Sequence, residues 1–318
     1  MLLELVDSAM ATLVLRHVLL AHARSTIRVE PWGASSVRIR WVVGSEPIVD
    51  DLPGALVRPR AHHLPQEQEP SSSSSSFTTV TSGNLRVATN SAEETIVVTR
   101  ISDGVELVRQ LAPVRELPCD AQYNSSDGCE TRSTLRLRSD PRSAFYGTGQ
   151  KMNTHGVAGR LPAHHIGDTE MPSLDMAGGR WDFESCTDYT QSSGAEICLP
   201  WILGAIPNES TYSFGVLWNM PNFGKMELGG DGGSRLERGE HEWTAHDAAH
   251  HQIDLWITTF ETGSAKGKID AAQQLLKHFV DAVGHVPVAP AWLSGYWHSP
   301  FGGGRPFDQA GKKVSFNQ

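Results

Sequence analysis

Apolar and polar residues alternate with period two along most of the first two thirds of the chain. In Ser36–Val43 the apolar Val37, Ile39, Trp41 and Val43 are interleaved with Arg38 and Arg40, which predicts a strand with one buried face and one wet face. The same pattern predicts strands at Ser25–Val29, Asn84–Ala88, Thr95–Arg100, Thr134–Arg138, Ile197–Leu203, Ser213–Leu217, Lys225–Leu228 and Gln252–Thr258. Turn-forming groups separate them: Pro-Trp-Gly at 31, Ser-Gly-Asn at 82, Ser-Asp-Gly at 102 and Asp-Gly-Gly at 231. Many short strands with regular turns predict a mainly β protein built as a large antiparallel β-sandwich. The period changes to the helical one over Lys268–Val283, where Ile269, Ala272, Leu275, Leu276, Phe279, Val280 and Val283 recur on one face, and Gly284 supplies a C-terminal stop.

Two stretches interrupt the alternation. An unbroken serine tract, Ser71–Ser76, lies in a polar region that begins near Arg58; it cannot pack, and residues 58–77 are expected to be a disordered loop. Residues 154–193 are long and weakly periodic, as functional loops often are. After the helix, Pro287 and Pro290 punctuate the chain, and a short aromatic strand, Leu293–His298, follows. The expected organisation is an N-terminal extension over 1–24, the sandwich over 25–266, a linker helix and junction over 267–290, and the start of a second domain over 291–318.

The 27 Lys and Arg against 36 Asp and Glu leave a net charge of −9. Such a surface argues against nucleic acid and anionic membranes as partners, because both need clustered cations. At the N-terminus Glu4 and Asp7 precede the apolar run and Arg16 interrupts it, so neither a signal peptide nor a membrane anchor is expected, and a cytoplasmic location is favoured. Cys119, Cys129, Cys186 and Cys198 have no C-x-x-C spacing. Cys119 and Cys129 would close a small loop in an oxidising compartment and stay free thiols in a reducing one.

The junction carries a resemblance. Phe279, Gly284, Pro287, Pro290, Trp292, Gly295, Tyr296, Trp297 and Ser299 resemble the pattern Y-x-x-x-T-G-x-P-x-x-P-x-W-A-x-G-F-W-Q-S. In glycoside hydrolase family 31 that pattern marks the passage from the N-terminal galactose-mutarotase-like sandwich to the catalytic (β/α)8 barrel. Phe145–Asn153 (FYGTGQKMN) resembles the family's F-Y-G-L-G-Q/E. Ile197–Gly204 with Tyr212–Gly229 resembles its P-F-x-x-S…Y-G-x-x-x-x-N, and Ser25–Leu56 fits its opening strands. The blocks occur in the family's order over about residues 25–300.

The resemblance implies a retaining α-glycosidase acting on terminal α-linked glucose or xylose, with carbohydrate as the partner and no cofactor. Retaining enzymes need two carboxylates about 5–5.5 Å apart. In the family both are aspartates on later barrel strands, the nucleophile in a W-x-D-M-N-E-like segment. The 318 residues contain no such segment, and one strand makes no barrel. The chain by itself is therefore expected to be inactive, with the missing barrel as its intramolecular partner. Leu293, Tyr296 and Trp297 are expected to form an exposed apolar patch in that barrel's absence.

The resemblance also implies a sandwich loop that reaches over the barrel mouth. The corresponding Gly167–Trp201 carries Asp168, Glu170, Asp175, Asp182, Glu184 and Asp188, with Trp181 and Tyr189. Carboxylates bind sugar hydroxyls and aromatic rings stack on the sugar; Asp188 lies closest to where the family places its loop aspartate, and Trp297 and Phe301 match its barrel-side aromatics, so the resemblance implies Asp188, Trp297 and Phe301 as the substrate-binding residues. A solvated acidic loop is the plainer reading of any one of these acids.

Two other constellations carry less. His246, His250 and His251, with His241 upstream, have no helix to align a metal-binding pair and are expected in a solvated hairpin loop. Gly147-Thr-Gly149 has no helix after it to receive a phosphate; a close strand–strand approach explains it better. The alternatives to a glycosidase are a non-catalytic carbohydrate-binding module and a mutarotase-like epimerase. The epimerase would need one of His155, His164 or His165 beside a carboxylate.

Overall fold

The computed structural model describes residues 18–21, 25–44, 46–58, 77–90, 92–118, 130–151, 180–182, 187–188, 195–206, 213–230, 234–260, 268–285, 288 and 290. In chain order the described strands are β1 Val18–Ala21, β2 Ser25–Pro31, β3 Ser36–Val43, β4 Phe77–Ser82, β5 Leu85–Asn90, β6 Thr95–Arg100, β7 Glu106–Gln110, β8 Arg115–Pro118 and β9 Thr131–Arg138. They continue with β10 Ala144–Lys151, β11 Arg180–Asp182, β12 Thr187–Asp188, β13 Ala195–Ala205, β14 Phe214–Trp218, β15 Gly224–Leu228, β16 Glu240–His246 and β17 Gln252–Thr259. One helix follows, α1, Lys268–Val283. None of the described helices is long and apolar enough to cross a membrane. The chain divides into two compact units, Met1–Gly284 and His285–Gln318. The first holds both sheets and α1; in the second only His285, Val288 and Pro290 are described, and Val288 is exposed.

Two antiparallel sheets form the sandwich. The first has the order β1-β2-β3-β17-β14-β13-β10; the second runs β12-β11-β15-β16-β9-β7-β6-β5-β4, with β8 also paired to β9. The inward residues of both sheets make one core. Val37, Ile39 and Trp41 of β3, Ile253, Leu255 and Ile257 of β17, and Leu135, Leu137, Met226 and Trp243 of the second sheet are all buried in it. The period-two pattern thus delivers the fold class it predicts, with residues i and i+2 on one face.

The wet face expected for β3 is not wet. Arg38 and Arg40 are buried, 5% and 1% exposed, because β3 is a central strand and its outer side is covered as well. Residues 46–58 cross over it, and α1 packs beside them on an apolar cluster of Trp32, Trp201, Leu217, Trp256 and Ala282, with Leu56, Phe279 and Val283 against it. The first sheet is therefore the middle of three layers.

Helix α1 has the predicted bounds but a rotated face. Ala271, Leu275 and Ala282 are buried, whereas Leu276 is 48% exposed. The Phe279 ring lies 4.7 Å from that of Trp201, so the tryptophans on the first sheet select the row 271, 275, 279, 282 at the helical i, i+4 and i, i+3 spacings. Gly284, at φ +89°, closes the helix in the left-handed conformation that glycine adopts freely.

At Gly147 (φ +128°) β10 meets β13 so closely that a Cβ would lie 2.4 Å from the Trp201 carbonyl oxygen. Gly147→Ala is expected to lower stability by about 1–2 kcal/mol through backbone strain and this clash, read as a shifted urea midpoint with an unchanged slope.

Candidate functional site

The candidate sugar-contact residues fall at one edge of the second sheet and in the region after α1. Trp297 and Phe301 lie outside the described residues, as do Asp168, Glu170, Asp175, Glu184 and Tyr189. Asp188 lies in β12, the outermost strand of its sheet, and its register partner is Trp181 of β11. Trp181 in turn pairs with Met226, Met226 with Trp243, and Trp243 with Leu135. Asp188 thus ends a cross-strand row whose inner members, Met226, Trp243 and Leu135, are core residues. Antiparallel partners have Cα atoms about 4.5–5.5 Å apart, so the register brings one carboxylate residue and one aromatic residue to the same place on the edge. Asp182 pairs with Thr187 and Lys225 in the adjacent row.

The most developed polar constellation was not foreseen as a unit. It lies on the outer side of the first sheet, beneath residues 46–58. Arg38 grips the Asp254 carboxylate with two nitrogens, at 2.6–3.1 Å, and its guanidinium carbon sits 4.5 Å from the centre of the Trp32 ring. The Asn219 amide donates to the same carboxylate at 2.6 Å. Arg40 donates to Glu30 at 2.6 Å and to Asp50 at 2.7 Å, and Arg28 also reaches Asp50, at 2.6 Å. Burial pushes against the charge on Asp50, but the Arg40 hydrogen bond and the positive field of Arg28, Arg40 and Arg38 hold its carboxyl below the usual range. Arg40 is likewise disfavoured by burial and yet raised by Glu30, Asp50 and Asp254. The network ties β2, β3 and β17 to one another and to residues 46–58, and it reads as structural. The signal in the sequence was Asp254, a single acid inside the apolar strand QIDLWITT, opposite strand positions carrying two arginines.

The histidine run is not one hairpin loop. His241 and His246 belong to β16, and only His250 and His251 lie in a short 3-10 turn. His241 is fully buried because its strand position faces the core: it pairs with Leu137 and Leu228. Its Nδ1 accepts a 2.8 Å hydrogen bond from the Trp243 indole, and burial pushes its pKa down to about 3. His251 is exposed and bonds to Glu116 at 2.8 Å. Among the described residues no three of His, Cys, Asp and Glu converge as metal ligands. His155, His164 and His165 lie outside the described residues.

The outer side of the second sheet carries a ladder of opposite charges. Arg136 and Arg138 bind Glu240, at 2.9 and 2.5 Å, and Arg235 pairs with Glu242 and Glu227. Burial raises Glu240, but Arg138 and Arg136 overcome it and hold the carboxyl below the usual range. A carboxyl held ionised by arginines is a poor proton donor, so this face does not resemble an acid/base pair.

No protein-family model matches the chain. An uncharacterised family 31 glucosidase of Pseudescherichia vulneris is 21% identical over 282 residues, which are 86% of this chain and 44% of that protein. Among solved structures, a family 31 α-xylosidase from a soil metagenome, complexed with xylose, has a TM-score of 0.56 at 18% identity, over 87% of this chain and 35% of its own. A xylosidase from Aspergillus niger has a TM-score of 0.55 at 17% identity, over 86% and 33%. The chain is similar to the N-terminal part of family 31 glycoside hydrolases.

It spans less than half the length of the curated relative and about a third of the two xylosidase chains. The family 31 motifs can now be placed. The FYGTGQ block is β10, and PWILG lies in β13 beside it, in register at Phe145–Gly204 and Gly147–Ile202. Asn219, which follows β14, binds Asp254 and the amides of Ala55 and Leu56 and is buried.

Proposed function

We propose that this chain serves as the N-terminal sandwich of a retaining α-glycosidase that acts on terminal α-linked glucose or xylose. The observation that carries the reading is the order of the sequence blocks, from the opening strands to the proline-marked junction, on a sandwich of family 31 type. In this reading residues 25–266 are the sandwich, 267–290 the linker helix and junction, and 291–318 the first strand region of a (β/α)8 barrel. Asp188, on the edge strand beside Trp181, would contact the outer sugar, and Trp297 and Phe301 would wall the subsite from the barrel side. The two catalytic aspartates would come from barrel strands that these 318 residues do not encode.

The test is to sequence the native transcript across the codon for Gln318 and to assay two proteins, the 318-residue chain and the product of that transcript. Release of p-nitrophenol from the α-xyloside or α-glucoside is expected from the transcript product and not from the 318-residue chain. In the active protein Asp188→Ala is expected to raise KM about tenfold or more with little change in kcat, the pattern of lost uniform binding. A transcript that ends at Gln318, with a product that binds xylose or glucose and hydrolyses nothing, would replace this reading with that of a carbohydrate-binding module.

A further inference from the structure

Residues 46–58 form no regular element, yet they are fastened at successive points to three strands of the first sheet and to the residue that follows β14. Asp50 accepts from Arg28 of β2 and Arg40 of β3. Val49 exchanges two hydrogen bonds with the Gln252 side-chain amide of β17, at 2.9 and 3.0 Å. The amides of Ala55 and Leu56 both donate to Asn219 Oδ1 just after β14, at 2.7 and 3.1 Å. Val57 then donates its amide to the carbonyl of Ala282 in the last turn of α1, at 2.8 Å. The last four carbonyls of a helix have no partner inside it, so this strap supplies one that the helix lacks.

Asn219 is the hub of this arrangement. Its Nδ2 is fixed by Asp254, which Arg38 holds from the other side. Its Oδ1 is thereby presented to the strap in one orientation. Gly54 passes so close that a Cβ there would lie 2.6 Å from the Asn219 amide.

We propose that residues 46–58 are a clamp that couples the buried Arg38–Asp254 network to the C-terminal end of α1, with Asn219 as its positioning residue. The end of α1 is the point from which the chain runs on into 285–318, so the clamp sets how firmly that exit is held. The coupling follows from the order of contacts, Asp254 to Asn219, Asn219 to Ala55 and Leu56, and the next amide, Val57, to Ala282. It does not depend on what reaction the protein takes part in.

Amide hydrogen exchange on the whole chain tests it. Leu56 N–H binds Asn219 directly and must lose protection in Asn219→Ala under any account. Val57 N–H does not touch Asn219; it binds Ala282. The clamp requires that Val57 exchange faster in Asn219→Ala, on the order of tenfold or more, while Val216 in β14 and Ile257 in β17 keep their protection. Gly54→Ala approaches the same contact from the strap side and is expected to give the same local signature, and it decides the matter if Asn219→Ala does not fold. Gln252→Ala frees only the Val49 end and should leave Val57 unchanged. The proposal is overturned if Leu56 alone changes in Asn219→Ala, if Gly54→Ala leaves Val57 as protected as in the unaltered chain, or if protection falls equally through β14 and β17.

Discussion

Replacing Asp254 with alanine is expected to lower the free energy of unfolding by about 3–5 kcal/mol, the cost of leaving a buried partner charge uncompensated. Both side chains of the Arg38–Asp254 pair are 6% exposed. The substitution strands the Arg38 guanidinium between β3 and β17 and removes the acceptor of the Asn219 amide. The pair itself need not be a net stabiliser, because desolvating two ions offsets much of their attraction. The two views are separable. Asp254→Ala alone should be severe, while Arg38→Met combined with Asp254→Leu should recover part of the loss, since it leaves no buried charge although the Asn219 amide still lacks its acceptor. Urea unfolding of the single and double variants measures both. A single-variant loss under about 1 kcal/mol would show that water reaches the pair, contrary to its burial.

The same pair shows what the sequence could and could not say about this fold. Period-two alternation is a property of each strand alone, and it located β3, β6 and β17 with bounds that agree to within one residue. It could not say that the alternate, polar face of β3 is also covered, because the cover comes from residues 46–58, which have no period of their own, and from α1, distant in the chain. Arg38 and Arg40 therefore read as solvated and are buried. The strands that were missed fail for different reasons. β16 reads EHEWTAH, and its alternation of Glu240, Glu242 and Thr244 against His241, Trp243 and Ala245 is regular, but the buried histidine made it look like a polar loop. β8 is four residues, RELP, too short for any period to declare itself. β10 carries two glycines that weaken its pattern, and Gly147 serves the close approach to β13.

The candidate site was legible to a smaller extent. The acids of 167–201 were visible as a composition, and a loop has no period from which to select one. The resemblance, not a period, selects Asp188 among them; register adds that it is the cross-strand partner of Trp181 at the end of a row that leads into the core. The helix face shows the converse. Leu275 and Leu276 both fall within the apolar stripe read from the sequence, and the position of Trp201 and Trp256 on the sheet decides that Leu275 is buried and Leu276 half exposed.

Acidification is expected to destabilise the sandwich through His241 well before its carboxylates titrate. The ring lies wholly in the core, 5.5 Å from the Phe145 ring and edge-on to Trp243 at 6.2 Å. With Trp243 Nε1 donating to Nδ1, the neutral ring carries its hydrogen on Nε2, which meets no acceptor among the described residues. The pKa of the folded chain, about 3, lies below the ordinary value of 6.5. Above pH 6.5 both states hold the neutral ring and its contribution to stability is complete. Between 6.5 and 3 the unfolded chain takes up a proton that the folded chain refuses, and stability falls by about 1.4 kcal/mol per pH unit. From pH 7 to pH 5 this amounts to about 2 kcal/mol, in a range where unfolded carboxylates remain largely ionised. His241→Gln keeps an oxygen acceptor for the Trp243 indole and has nothing to titrate, so its unfolding free energy should fall by about 2 kcal/mol less over the same interval, whatever its stability at pH 7. Equal pH dependence in the two proteins would mean that the core opens to water at His241 or that the ring protonates in place.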